Sequence, residues 1–401
     1  MDSSGILFKD RRRWFVLFVM TANFMCAVGY AFSIVPVIIP AIVRELGVSL
    51  GTAGLITTAL SAAGVFLSIP AGIMLDSIGA EKSGLIALIS GCVGWFLCVM
   101  SPNFNILLIG RFFLGICGII FGATGPVLLM KWFNQGEIGK ALGIWSTAIV
   151  AGRALFTPMA SVITSIYGWR ATLLVGFLVT LLLVLLYVLM MRMKPPPSSG
   201  PVRSSNSRIS LGDLRKSLTY PQPWLFGLVI LFGFFPGNVI HTYGVILLRD
   251  VKGFDEVSAG FILGLSGFSG IFGSLIAGWL SDRLGGRRKP VYLASLILDV
   301  VLVTLFVLIP SPTLSIAVLM ALGLTASMKS PLNYAIPPTL ATNGYVGIAL
   351  GIARVFMYLP GVIVPPISGR VYEIYGLHAL TLLMVVCTLS STALLSRVKT
   401  K

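Results

Sequence analysis

Arg153 and Arg354 each fall in the middle of a long apolar stretch. Near the centre of a bilayer a charge costs several kcal/mol, so it is kept for a substrate, an ion or a partner charge. A guanidinium presents a planar pair of donors, a shape suited to clamping a carboxylate or another oxyanion. Arg153 lies about 12 residues from each end of its stretch, roughly 18 Å of helix, which puts it near the midplane. Arg354 is seven positions nearer one membrane face than Gly361, the residue that corresponds to Arg153 in an internal repeat described below. The spacing therefore assigns Arg354 to the inner part of a central cavity. For both arginines the alternative is structural, a guanidinium satisfied by backbone carbonyls inside a helix bundle.

Other residues extend the cationic set. Lys329 and Asp299 fall at matching depth in neighbouring apolar stretches, where an ion pair would lower the cost of burying each. The sharper reading of Asp299 is a proton-loading carboxylate; Lys329 is also a candidate cationic wall of the cavity. His241 lies past the midpoint of its stretch with Asn238 and Tyr243 nearby. It is either a hydrogen-bonded helix contact or a proton carrier. Tyr30 and Tyr334 are candidate donors to a ligand, with packing as the alternative.

These residues need a membrane scaffold, and the composition supplies one. Hydrophobic residues make up 56% of the 401 residues and charged residues 10%, with a mean hydropathy of +0.97. A soluble domain carries about a quarter charged residues. At roughly 20 to 25 residues per crossing, about 12 helices fit. The net charge of +16 is unevenly spread: twenty of the 29 Lys and Arg fall in alternate loops and the two termini, against five in the remaining loops (Arg44, Arg170, Arg249, Lys252, Arg370). Positive charge marks the cytoplasmic side, so both termini are expected inside. No basic stretch lies outside a juxtamembrane loop, which argues against nucleic acid as a partner. The five cysteines all sit in apolar runs, with a spacing that fits neither a disulfide framework nor a zinc site. From Trp14 the apolar run is too long for a signal-peptide core.

Apolar runs predict spans near 14–40, 49–75, 82–100, 105–131, 140–164, 170–192, 223–248, 257–281, 289–310, 313–338, 346–369 and 377–396. This divides the chain into an N-terminal six-helix bundle (1–192), a polar linker (193–222) opening with Lys194-Pro195-Pro196-Pro197, and a C-terminal six-helix bundle (223–401). Within the linker, Ser210 to Leu218 has the pattern of a short amphipathic helix. The bundles are copies. Gly47, Gly72, Asp76 and Gly79 recur as Gly253, Gly278, Asp282 and Gly285, all offset by 206 residues. Ala141-Leu142-Gly143-Ile144, Pro158 and Tyr167-Gly168 recur as Ala349-Leu350-Gly351-Ile352, Pro366 and Tyr375-Gly376, offset by 208. A six-helix unit has been duplicated in the same orientation. The repeated Asp76 and Asp282 close their spans at the inner face, where a carboxylate can cap a neighbouring helix and hold that side shut.

On these residues the chain resembles the major facilitator superfamily along nearly all of its length. The family's loop signature appears as Gly72, Asp76, Gly79 with Lys82, and again as Gly278, Asp282, Gly285 with Arg287 and Arg288; Ala80-Glu81 departs from the usual basic pair in the first copy. Arg111-Phe112-Phe113-Leu114-Gly115 is similar to the family's fourth-helix motif, which implies proton coupling or helix packing for Arg111. Lys131-Trp132-Phe133 and Tyr167-Gly168-Trp169-Arg170 are similar to its organic-anion, cyanate and nitrate branches. Phe156-Thr157-Pro158 stands where drug exporters carry a Gly-Pro motif. The resemblance implies an all-α fold of twelve transmembrane helices in two pseudo-symmetric bundles, and a cell-membrane transporter without a cofactor that acts as a monomer. Its substrate is expected to be a small, organic anion, moved by proton symport or by exchange for a counter-anion. Transport of neutral or cationic compounds is the alternative, weakened by the lack of a carboxylate in the central helices apart from Asp299. A non-transporting receptor would need a signalling domain that the sequence does not contain. No metal cluster, nucleotide loop or nucleophile–base pair suggests an enzyme.

Overall fold

The computed structural model describes residues 3–134, 137–193, 219–340 and 346–399. Within a bilayer, backbone amides and carbonyls find partners only inside a helix or a closed barrel. The described residues accordingly form long helices, eleven of which are long and apolar enough to cross a membrane. The last of them, Val346–Arg397, is two crossings joined at Gly376, whose φ of 76° breaks the helical path. Twelve crossings result, and the fold is a twelve-helix, two-bundle membrane protein. Most of the linker, including the proposed amphipathic segment at Ser210, lies outside the described residues.

The duplicated glycines are conformational. Gly47 and Gly253, Gly79 and Gly285, and Gly168 and Gly376 are three repeat pairs, and all six have positive φ, between 62° and 85°. A side chain at such a φ is strained, so glycine recurs at these three pairs of reversals between spans. Several helices start on a capping side chain: Asn103 accepts from the Ile106 amide (3.0 Å) and Asp255 from those of Val257 (3.0 Å) and Ser258 (2.9 Å). The hydrogen bonds that hold the Asp255 carboxylate, first those from Ser258, keep its pKa below the usual range.

Two spans depart from regular helix. The first carries a π-helical turn at Phe24–Gly29 and then continues as Val35–Leu46 beyond a break at Ile34. The seventh, Pro221–Lys252, breaks at Phe234, two residues before Pro236. A proline has no amide to donate and crowds the preceding turn, which accounts for that break.

The membrane side where the first span begins and the twelfth ends is here termed the terminal face. Toward it, each bundle has its own apolar core: one around Phe24, Phe121, Leu129 and Tyr187, the other around Phe226, Tyr292, Leu332 and Phe356. Toward the opposite face a single core runs through both bundles, joining Ile38, Ile56 and Leu173 to Val239, Leu248, Leu263 and Val364. The bundles are sealed together there along two seams, the second span with the eleventh and the fifth with the eighth. Small residues make the seams tight. A Cβ on Gly260 would lie 1.7 Å from Ser161 Oγ, and one on Gly361 would lie 2.2 Å from Ser61 Oγ. Nearer the terminal face the seams part: at Gly72, Gly143, Gly278 and Gly351 an added Cβ would meet nothing within 4 Å. The molecule is closed on the opposite face and open on the terminal face.

Candidate substrate site between the two bundles

Arg153 lies 15 residues after Ile138 and 14 before Tyr167, the ends of the fifth span, so it sits at mid-depth. Glycines on the facing eighth span let the backbones approach: a Cβ on Gly267 would lie 3.3 Å from Arg153 Cγ. The guanidinium projects into a small cavity walled by four helices from both bundles. Phe32, Ser33 and Pro36 come from the first span, Thr157 from the fifth, Ile240 and His241 from the seventh, and Leu263 and Ser266 from the eighth. The cavity has about 20 Å³ to fill, room for roughly one water. Across it, Nη1 of Arg153 lies 2.7 Å from Nε2 of His241. No carboxylate lines this cavity, and Arg153 forms no ion pair among the described residues.

A second cavity of about 20 Å³ continues from the far side of His241, lined by Pro236, Ile240, Ser266, Leu322 and Asp299. His241 borders both. Asp299 is 2% exposed and accepts hydrogen bonds from Thr325 Oγ1 and from Lys329 Nζ. The same ammonium donates to the Gly233 carbonyl (2.8 Å), at the break in the seventh span, and lies 5.6 Å from the Phe234 ring centre. Lys329 is 1% exposed and fully committed to these partners. It is a strut inside the C-terminal bundle rather than a wall of the central cavity, because the seventh-span break supplies a carbonyl that draws it inward.

The other residues singled out from the sequence separate into three groups. Tyr30 is buried and donates to the Thr172 carbonyl (2.8 Å), so it packs the first span on the sixth instead of facing a ligand. Asn238 likewise spends its amide on the Phe234 carbonyl of its own helix (3.0 Å). Arg111 is fully buried and donates from Nη2 to the Ala31 carbonyl (2.7 Å), with Nε and Nη1 unpaired; it ties the fourth span to the first, away from the central cavity.

Arg354 lines neither cavity. It stands about 10 Å nearer the terminal face than Gly361, half-buried, within electrostatic reach of Tyr334 and Tyr358. Tyr334 is 53% exposed at this open mouth. Tyr358 was not evident from the sequence. Its ring crosses the seam onto Gly64 of the second span, 2.4 Å from where a Cβ would be. The i, i+4 spacing of Arg354 and Tyr358 places them on one helix face and was the available signal.

The terminal-face motif is unlatched. Asp76, Asp282 and Arg287 are exposed, and none of their side chains has a hydrogen bond or ion pair to another described residue. Gly72 and Gly278 face open space, whereas Gly79 and Gly285 make the turns. The opposite face is bolted instead. Tyr243 Oη donates toward the carbonyls of Leu50 and Pro365, each 2.8 Å away, and Thr58 donates to the Val362 carbonyl (2.9 Å). Arg44 pairs with Glu256 from the other bundle, and Glu256 also accepts from Arg249 (2.9 Å). Within the first bundle, Glu45 accepts from Arg170 and from Trp169 Nε1 (2.7 Å). The Arg170 hydrogen bond, then that of Trp169, holds the Glu45 carboxyl below its ordinary range.

Two paired bundles with one open face, and a central guanidinium without an ion pair among the described residues, form a site able to bind and release a solute. Comparison with known proteins agrees. The chain matches the family model "Major Facilitator Superfamily" over residues 14–365 and 271–400. It is 25% identical over 255 residues to monocarboxylate transporter 13 of Bos taurus, a match spanning 62% of this chain but only 56% of that protein. It is 24% identical over 380 residues, 86% of this chain and 84% of the relative, to a protein named "Probable galactarate/D-glucarate transporter GarP" from Escherichia coli K12. Among solved structures, a D-xylose–proton symporter superposes with a TM-score of 0.75 at 15% identity, covering 97% of this chain and 99% of its own. The chain belongs to the Major Facilitator Superfamily of membrane transporters.

Proposed function

We propose that this transporter carries a small organic anion across the cell membrane by alternating access, with Arg153 as its principal anion-binding group. The observation that carries the proposal is the uncompensated guanidinium at mid-depth between the bundles. A bound oxyanion supplies the missing charge where water is scarce and electrostatic attraction is strongest. Arg354 and Tyr334 form a second polar station at the open mouth, on the path between the cavity and the terminal face. The division into bundles 1–192 and 223–401 joined by a cytoplasmic linker at 193–222 follows from the repeat, and cytoplasmic termini follow from the twenty-to-five distribution of Lys and Arg. The terminal face is then the cytoplasmic one, and the conformation is inward-open. Asp76 and Asp282 latch that face when the cycle reverses.

The names of the relatives, which include a monocarboxylate and an aldarate transporter, support an anionic substrate. The test is counterflow into proteoliposomes of lactate, D-glucarate, nitrate and cyanate, with D-xylose and tetramethylammonium as neutral and cationic controls. Uptake of one of the anions that Arg153→Gln abolishes is the expected result. Preferential uptake of either control refutes the reading. A cysteine at Ser205 labelled only from outside the cell would reverse the topology.

A further inference from the structure

We propose that His241 is the proton-binding site of this transporter, and that its proton is exchanged for the hydrogen bond it accepts from Arg153. The inference rests on the anion-binding role of Arg153 and adds the coupling ion and the residue that carries it.

The chemistry of the contact comes first. A guanidinium has only donors. At 2.7 Å from Nη1 of Arg153, Nε2 of His241 must therefore be the acceptor, which requires a neutral ring with its hydrogen on Nδ1. A protonated His241 has no lone pair to offer and would face Arg153 as a like charge. The contact and the proton are mutually exclusive.

The contact also links the two bundles, since Arg153 belongs to the fifth span and His241 to the seventh. The cavity around it has space for about one water, so an organic anion reaches Arg153 only by displacing the imidazole. Once displaced, Nε2 regains its lone pair beside an anion that favours the charged ring. A proton from solvent then forms an Nε2–H bond, and the Arg153–His241 hydrogen bond is replaced by one from each residue to the anion. The charge of the site is the same before and after. It is one positive with Arg153 and neutral imidazole, and one positive with Arg153, imidazolium and a monovalent anion. The loaded and the empty site carry the same charge, so the proton and the anion cross together with no net charge moved against a membrane potential.

The surroundings of His241 permit that charge. Beyond Arg153, the first, fifth and eighth spans present only the hydroxyls of Ser33, Thr157 and Ser266 to the shared cavities, and no residue of the eleventh lines either one. Asn238 stands one turn away on the same helix. On its far side His241 borders the cavity that Asp299 lines, and Asp299 is already neutralised by Lys329 of the tenth span. The Asp299–Lys329 pair thus leaves the proton to His241.

The chain has two histidines, and His378 is exposed at the start of the twelfth span. In a His378→Gln background, ¹⁵N-histidine NMR of the protein in nanodiscs reports His241 alone. The ligand-free protein should show the neutral ring with Nε2 unprotonated. Adding Arg153→Gln should raise the pH of half-protonation by one unit or more, and so should saturating lactate or nitrate in the Arg153 protein. A midpoint identical with and without Arg153 overturns the proposal and needs no ligand to do so. A transported anion that leaves the midpoint unmoved also overturns it, while the anion-carrier reading survives.

His241→Gln supplies the second measurement, since glutamine accepts from Arg153 but takes no proton. An inward gradient of one pH unit should concentrate lactate about tenfold through the native protein, the limit for one proton per anion. The variant should lose this accumulation, and any lactate exchange that it retains should no longer depend on pH. Accumulation equal to the native protein's overturns the proposal. Failure of every anion in the counterflow screen refutes the anion reading itself, a result separate from either histidine measurement.

Discussion

The hydroxyl of Tyr243, on the seventh span, lies 2.8 Å from the Leu50 carbonyl at the start of the second span and 2.8 Å from the Pro365 carbonyl on the eleventh. One side chain thus joins three helices from both bundles at the closed face. It can do so because Gly54 and Gly369 leave the space: a Cβ on either would lie within 2.4 Å of the hydroxyl.

Removing that oxygen alone should loosen the closed face. Tyr243→Phe loses a hydrogen bond with a net value of about 1 kcal/mol, enough to shift the balance of conformations roughly fivefold toward opening. Spin labels at Ser49 and His378, one in each bundle on that face, should report a larger population of long distances. An unchanged distance distribution would show that the apolar core closes this face unaided.

Asp299 and Lys329 should be worth more as a pair than either residue alone suggests. Asp299→Asn or Lys329→Met by itself strands a buried charge and should cost about 3 kcal/mol or more of stability. The double variant should be more stable than either single one. Thermal unfolding in detergent makes the comparison; strictly additive losses would mean the two charges act independently.

Arg153→Lys keeps the charge and should still fail. A lysine ammonium is a point donor that cannot hold two oxyanion oxygens in one plane, so uptake should fall by about tenfold or more. Native uptake by this variant would make the site a simple positive potential.

Acid should weaken the tie between the first and sixth spans. The Glu45 carboxyl is held below its ordinary pKa of about 4.5 by Arg170 and Trp169. The stability this contributes is fully present above that ordinary value and is lost as pH falls through the lower, folded-state value. Glu45→Gln should therefore be less stable than the native protein at pH 7, and the two should converge in acid. A difference that persists unchanged at pH 3 would assign the effect to the Trp169 contact.

Much of this architecture was legible because a duplication writes itself twice. The offset of 206 or 208 residues identified the turn glycines, and each pair proved to share a positive φ. The central position of Arg153 followed from counting along a helix. What the linear pattern did not carry was the direction of side chains across helix boundaries. The apolar period says that Lys329 is in a span; only the Phe234 break explains why it turns toward Gly233. Tyr243, Tyr358 and the Arg153–His241 contact depend on which glycines lie opposite them, sometimes three hundred residues away. Gly54 and Gly369 were visible as small residues, but nothing in the sequence matched them to Tyr243. The π-helical turn at Phe24–Gly29 had no sequence signal that we can identify.

At Gly72, Gly143, Gly278 and Gly351 an added Cβ would meet nothing within 4 Å in the present conformation, yet the duplication preserves all four. Two are on the second and eighth spans and two on the fifth and eleventh, the same helices that form the seams on the closed face. In the proposed alternating-access cycle they become docking strips for the return half, when those seams close from the other end. A tryptophan at any one of them would leave the shape described here intact and act as a doorstop against its mirror. Stalled in this way, the carrier would bind its solute from one side only, and each half of its journey could be weighed without the other.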